Sequence, residues 1–319
     1  MKYEKRLSLK TIAYELGVSV NTVSRALRDC DDISESTKEK VRKVAIELGY
    51  LPNSLVYSIN YGKTKSVALI INNVRNYYFS IMNEKLLYYL REEGYIANII
   101  CLYGNAFNTM IVKECIYQRV DKIITFVEPT KEALELVDMN HVPLIVCGRK
   151  VSKKFCDSLY TDDVKGGALA ADYLINKGSK EFIYINVKGS ECSTRRYLGF
   201  KNELAVKNSN YQVRKINIEN FDESLNEVAN IPNLGIFAYN DEHLYIILDK
   251  FKKANIDVSH INFIGYDAVN KNILGTIKIP SIGFDYDAIA KECVRLLKLE
   301  RDGSEKNKSL CFDVHLEDI

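Results

Sequence analysis

Apolar residues recur along this chain at two different periods, and the change between them divides it. Over residues 1–50 the spacing is helical. Ile12, Ala13 and Leu16 share one face, Val23, Ala26 and Leu27 a second, and Val41, Val44, Ala45 and Leu48 a third. Gly17 and Gly49 interrupt these segments, and Ser19 is placed to N-cap the second helix. A third helix is expected from Ser34 to Leu48. Two short helices joined by a Gly-containing turn predict a helix-turn-helix, closed by the third into a small core.

From Ser66 onward short apolar runs of strand length alternate with amphipathic stretches. VALII (67–71), IANIIC (96–101), KIITFV (122–127) and PLIVC (143–147) are expected strands, separated by helices near 79–93, 108–118 and 131–139. A second series begins near Tyr160. It sets helices at 166–177, 193–206, 222–229 and 241–254 between the strands FIYI (182–185), VRKINI (213–218), LGIFAY (234–239) and INFIGY (261–266). This alternation predicts parallel sheets covered by helices, and there is too much of it for one sheet. The expected fold is an all-α helix-turn-helix head followed by an α/β sensor of two lobes. The segments are 1–51, a hinge at 52–65 containing Pro52 and Gly62, and 66–319. A ligand in such a fold sits beyond the carboxyl ends of the strands, in the cleft between lobes.

Composition adds little until it is divided. The 319 residues are 47% apolar and 27% charged with a net charge of +2. Residues 1–65 hold twelve Lys/Arg against eight Asp/Glu, so the head is about +4 and the rest about −2. That asymmetry is too mild to identify a nucleic-acid partner alone. No apolar run reaches the length of a membrane span, and MKYEKRLSLK has no apolar stretch behind it, so a cytoplasmic protein is expected. The eight Cys form no CxxC pair and read as small buried hydrophobes in a reducing compartment. His141, His243, His260 and His315 are dispersed with no metal-ligand spacing. No GxGxxG, GxxxxGK[ST] or GxSxG element follows any strand. Gly166-Gly167 at a helix start is explained as well by close packing as by a phosphate loop. Neither an enzyme, a metal nor a cofactor is expected.

The second helix places Val20, Asn21, Thr22 and Arg25 outward near its start. Asn pairs bidentately with adenine, Arg with guanine, and Val meets a thymine methyl. The alternative is an ordinary helical hairpin with solvated side chains. The string TIAYELGVSVNTVSRAL (11–27), followed by KVRKVAIELGYLPN (40–53), resembles the head and hinge start of the LacI/GalR family of bacterial repressors, and the resemblance runs nearly the full chain. It implies a homodimer on a near-palindromic operator of double-stranded DNA, with an effector between the lobes that changes operator affinity. By position it implies Val20, Asn21 and Arg25 as base readers. Leu9, Ser19, Thr22, Ser24 and Tyr50 are the remaining DNA-side candidates of the head, with Leu9, Thr22 and Ser24 at positions near phosphates. The hinge departs from the family: Val56-Tyr57-Ser58-Ile59 stands where Ala-Arg-x-Leu is usual. Ile59 serves as the apolar wedge, but the minor-groove cation is missing.

In the sensor the resemblance implies Tyr78, Phe79, Arg196, Phe221, Asn240 and Asp267 as effector-binding residues. An Arg, an Asp and stacking aromatics suit a polyol, and a carbohydrate is the expected effector. Asp241 is expected to cap the helix that follows it, and Asp162-Asp163 stands where relatives often have Asp-Asn. The terminal LCFDVHLEDI is expected to form one strand with no leucine heptad after it, which implies a dimer rather than a tetramer. Two alternatives stay open: a regulator that takes a purine-like corepressor or a phosphoprotein partner, and a sugar-binding receptor or enzyme on the same fold.

Overall fold

The computed structural model describes residues 7–50, 64–151, 156–269, 279–299 and 307–317. Contacts divide the chain into two units, Met1–Thr64 and Lys65–Ile319. The hinge residues Val56, Tyr57, Ser58 and Ile59 lie outside the described residues.

The first unit is built from α1 (Leu9–Leu16), α2 (Val20–Leu27) and α3 (Glu35–Glu47). Gly17 ends α1 in the left-handed region at φ 63°, where a side chain would be strained. Ile12, Ala13, Val23, Ala26, Val41 and Ala45 form its buried centre, with Leu9, Leu16, Leu27, Leu48 and Tyr50 packed around them. The apolar positions expected from the periodicity are those that meet. One charged residue is buried with them: Lys38 reaches out to Glu35 at 2.7 Å and Asp29 at 3.1 Å. Its methylenes pack while its ammonium stays paired.

The second unit holds two six-stranded sheets. The first has the order β11-β5-β4-β3-β1-β2, with β1 (Ser66–Ile71), β2 (Ile96–Cys101), β3 (Lys122–Thr125), β4 (Leu144–Cys147), β5 (Asp157–Thr161) and β11 (Ser309–Phe312). The second has the order β12-β10-β9-β8-β6-β7, with β6 (Glu181–Asn186), β7 (Val213–Asn217), β8 (Leu234–Ala238), β9 (Asn262–Tyr266), β10 (Ser281–Gly283) and β12 (His315–Glu317). All pairings are parallel except β10 with β12. Helices α4 (Tyr77–Glu92), α5 (Thr109–Tyr117), α6 (Lys131–Met139), α7 (Asp163–Asn176), α8 (Glu191–Lys207), α9 (Phe221–Ala229), α10 (Asp241–Lys253) and α11 (Tyr286–Lys298) complete the unit.

The terminal segment differs from the single strand expected. It pairs with β5 as β11, then passes to the other sheet as β12, with Asp313 and Val314 between. The chain thus crosses between lobes near residues 162, 285 and 313, and no local apolar pattern marks where a strand changes sheets. Helices α7 and α8 pack so closely that a Cβ on Gly167 would meet the Arg196 carbonyl oxygen, and one on Gly199 would meet that of Val164. The Gly166-Gly167 pair is therefore explained by packing.

Candidate functional site

In the head, Ser19 accepts the Thr22 amide at 3.0 Å on its Oγ, so its hydroxyl is spent on capping α2. Val20 and Asn21 on the first turn are exposed, and Thr22, Ser24 and Arg25 are half-exposed. Leu9 and Tyr50 pack partly against the core, and the Tyr50 amide donates to the Ala45 carbonyl at 2.8 Å. One partner was not anticipated. Asp32 grips Arg25 bidentately, Nε to Oδ1 at 3.1 Å and Nη2 to Oδ2 at 2.6 Å, and this hydrogen bond raises the guanidinium pKa. An Arg that reads a base must leave this carboxylate first.

In the larger unit a cavity of about 680 Å³ lies between the two sheets' carboxyl ends. Its lining includes Tyr78, Phe79, Arg196, Asn240 and Asp267 of the six expected residues. Phe221, expected at the cavity, is absent from its lining. It begins α9, is fully buried, and packs edge-on against Phe251 with ring centroids 5.6 Å apart. The second lobe's core needs that side chain, which leaves it out of the cavity lining.

Arg196 is the hub of the polar end. Ser190 caps α8, accepting the Ser193 amide at 3.1 Å, and Arg196 projects from the second turn. Its Nε donates to Asp163 Oδ1 at 2.9 Å, its Nη1 to the Tyr239 carbonyl at 2.6 Å, and its Nη2 to Asp267 Oδ1 at 3.4 Å. The guanidinium lies 3.4 Å from the centre of the Tyr266 ring. Burial works against the Arg196 charge, yet Asp163 and Asp267 hold its pKa well above the ordinary value. Burial pushes the Asp267 carboxyl up to about 6, with Arg196 pulling the other way. Asp267 itself sits at φ 92°, a conformation held by its amide on the Ile282 carbonyl at 2.8 Å and by Tyr286 Oη on its own carbonyl at 2.7 Å. The Asn240 side chain also bonds Asp267.

Asn240, not Asp241, caps α10, accepting the His243 amide at 3.0 Å. Asp241 is fully buried, accepting Ser281 Oγ at 2.7 Å and the Val269 amide at 2.9 Å. Burial raises its pKa to about 8. The expected cap was displaced by one residue, because Asn240 has the extended backbone a cap requires (φ −154°, ψ 176°).

The opposite wall is aromatic. Tyr78 lies 5.9 Å from Phe126 and 6.2 Å from Phe284, while Phe79 lies 5.6 Å from Phe126. Arg149 also lines the cavity; its Nη1 pairs with Glu128 at 2.9 Å, and its Nε is buried without a hydrogen-bond partner among the described residues. Asn76 Nδ2 meets Glu242 Oε2 at 2.5 Å, and Cys192 Sγ meets the Gly148 carbonyl at 3.1 Å, so both contacts join the lobes across the cavity. Sequence reasoning missed Asp163, Tyr239, Tyr266 and Arg149. For Asp163 the signal was present, since it replaces the Asn usual in relatives, but only the fold brings it to Arg196. Among the described residues no group of side chains is arranged to hold a metal ion, and no helix is long and apolar enough to cross a membrane.

Residues 8–53 match the family model described as bacterial regulatory proteins, lacI family. An HTH-type transcriptional repressor PurR from Vibrio atlanticus is 23% identical over 325 residues, covering 97% of this chain and 96% of that protein. Among solved structures, the lac repressor dimer bound to operator and the anti-inducer ONPF superposes with a TM-score of 0.77 at 19% identity, covering 98% of each chain. The complex of the transcriptional regulator CelR with cellobiose superposes with a TM-score of 0.66 at 21% identity, again covering 98% of each chain.

Proposed function

We propose that this chain, a member of the lacI family of bacterial regulatory proteins and a DNA-binding transcriptional repressor, acts in the cytoplasm as a homodimer whose operator affinity is set by a neutral polyhydroxylated effector, a sugar, in the cavity between the lobes. The electrostatic state of Arg196 favours a neutral ligand. An Arg that grips an anionic ligand needs unspent charge, but this one is already paired with two buried carboxylates. Arg149 is likewise paired with Glu128, and Glu242 adds a further carboxylate to the lining. A carboxylate or phosphate ligand would enter a site with an excess of negative groups. A sugar meets no such penalty: its hydroxyls donate to Asp267 and accept from the remaining guanidinium N–H groups, while its C–H faces lie on Tyr78 and Phe79.

Val20, Asn21 and Arg25 read base edges, and Thr22 and Ser24 contact phosphates. Effector binding shifts the population between operator-bound and released forms because it draws on groups from both lobes. Phe221, the aromatic suited by position to stack on a sugar or a base, lies in the core, which leaves Tyr78 and Phe79 as the stacking wall for either ligand. The test is enrichment of bound DNA from a random pool, followed by calorimetry with neutral sugars, nucleobases and sugar phosphates. A near-palindromic site and micromolar-to-millimolar binding of a neutral sugar are expected. Failure to enrich a near-palindrome overturns the repressor reading, and binding of phosphates alone overturns the neutral effector.

A further inference from the structure

Beyond the ligand cavity, the first lobe carries a pair of thiols that the regulatory reading leaves unused. Cys147 ends β4 and lines the cavity, and Cys293 faces it from the middle of α11. Their sulfurs lie 3.2 Å apart, and both residues are buried in the same core cluster. The other buried cysteines, Cys115 and Cys156, belong to a separate cluster.

We propose that Cys147 and Cys293 form a peroxide-reactive dithiol, oxidised by hydrogen peroxide to an intramolecular disulfide within the sensor lobe. The roles follow from position. Cys147 borders the cavity, so a small neutral oxidant that enters as water does reaches its sulfur first. Cys147 gives up its proton, its thiolate attacks one peroxide oxygen, the O–O bond breaks, and the departing hydroxide takes up that proton, leaving a sulfenic acid and one water. Cys293 then attacks the sulfenic sulfur, the S–S bond forms, and a second water leaves. In sum two thiols and one peroxide give one disulfide and two waters. The approach needed is about an ångström from the present separation, given the sulfur–sulfur bond length of about 2 Å. The hydrogen bond with Cys147, together with burial, holds the Cys293 proton on. The resolving attack needs that proton to leave, so closure of the disulfide is slow. Burial also selects the oxidant: a bulky charged disulfide such as oxidised glutathione cannot reach the pair, whereas peroxide can.

The product would tie the end of β4 to α11, whose first turns supply Tyr286 and the cavity-lining Ile289. The full-length protein is exposed to hydrogen peroxide or to oxidised glutathione under native conditions. Free thiols are then blocked in denaturant, and the chain is digested with trypsin without reduction. The expected product is peptide 132–149 linked to peptide 292–295, formed with peroxide, absent with oxidised glutathione, and reversed by dithiothreitol. In Cys293→Ala the pair cannot close, and Cys147 is expected to accumulate as a sulfenic acid that dimedone traps. In Cys147→Ala, Cys293 stays a thiol. Because either substitution opens a small void, circular dichroism of each variant is read first, and the wild-type linkage stands as evidence without them. Recovery of both cysteines as blocked thiols after peroxide, or linkage of Cys147 to Cys192 instead, would overturn the assignment.

Discussion

The head and the cavity do their work with opposite kinds of residue. The head's proposed readers lie within six consecutive positions on one helix, are exposed or half-exposed, and carry little of the fold. The cavity's polar residues come from positions 163, 196, 240 and 267, are buried, and bond one another. An exposed reader can be removed with little cost to stability, and its loss is felt only on DNA. A buried one is part of the structure, so its ligand must compete with partners already in place. Arg25 and Arg196 make the contrast concrete. Both are held by carboxylates, but Asp32 is half in water, while Asp163 and Asp267 are buried.

Substitution of Arg196 tests the buried side and carries the largest expected effect. Arg196→Ala strands two carboxylates, which should cost about 3–5 kcal/mol in urea denaturation. A loss below about 1 kcal/mol would mean that the pairs are solvated and the contrast is false. Next come the readers. Arg25→Ala or Asn21→Ala should weaken operator binding by about tenfold to a hundredfold, the value of one bidentate base contact. Stability should move by less than about 1 kcal/mol, as befits exposed positions. If stability fell while DNA binding held, the assignment of the reading face would be wrong.

Asp241 gives a pH signature that belongs to the buried side alone. Its carboxyl is raised to about 8 in the folded protein from the ordinary 3.8. The folded state therefore holds this proton where the unfolded chain has lost it. The associated stability is full at low pH and drains away as pH rises through about 8. From pH 6 to pH 9 the loss amounts to about 3 kcal/mol, most of it below pH 8. Asp241→Asn should remove that slope in denaturation series, and an unchanged slope would place the titration elsewhere. The smallest effect is expected at Asp32. Asp32→Ala frees Arg25 and should strengthen operator binding by no more than a few-fold, since exposed pairs contribute roughly 0–1 kcal/mol. Tighter salt dependence without tighter binding would separate its charge from its grip on Arg25.

The same contrast explains what was legible in the sequence. The head was read almost completely, because helix period, caps and turn are local: Ile12, Val23 and Val41 met as spaced, and Ser19 capped as placed. The alternation of the larger unit also survived as two sheets. The split of the terminal strand between sheets was not legible, since no near neighbour sets it; helix α11 does carry a local signal, an Asp285 cap and the apolar stripe Ile289, Cys293 and Leu296, and was overlooked. In the cavity, Arg196, Asn240 and Asp267 were found by position, but their partners were not. Asp163 is 33 positions from Arg196 and reaches it only because Gly167 and Gly199 let two helices touch. Phe221 failed for the converse reason: an aromatic at the right position was claimed by the core.

In the proposed mechanism a neutral sugar acts on operator affinity through a cavity whose cations are already paired. Fluorescence anisotropy on the selected operator, with neutral sugars in one series and sugar phosphates or carboxylates in the other, decides the point. A neutral sugar should change operator affinity by about tenfold, a coupling of roughly 1.4 kcal/mol, and the anions should leave it unchanged. A response to anions with none to any neutral sugar would rule out the neutral effector.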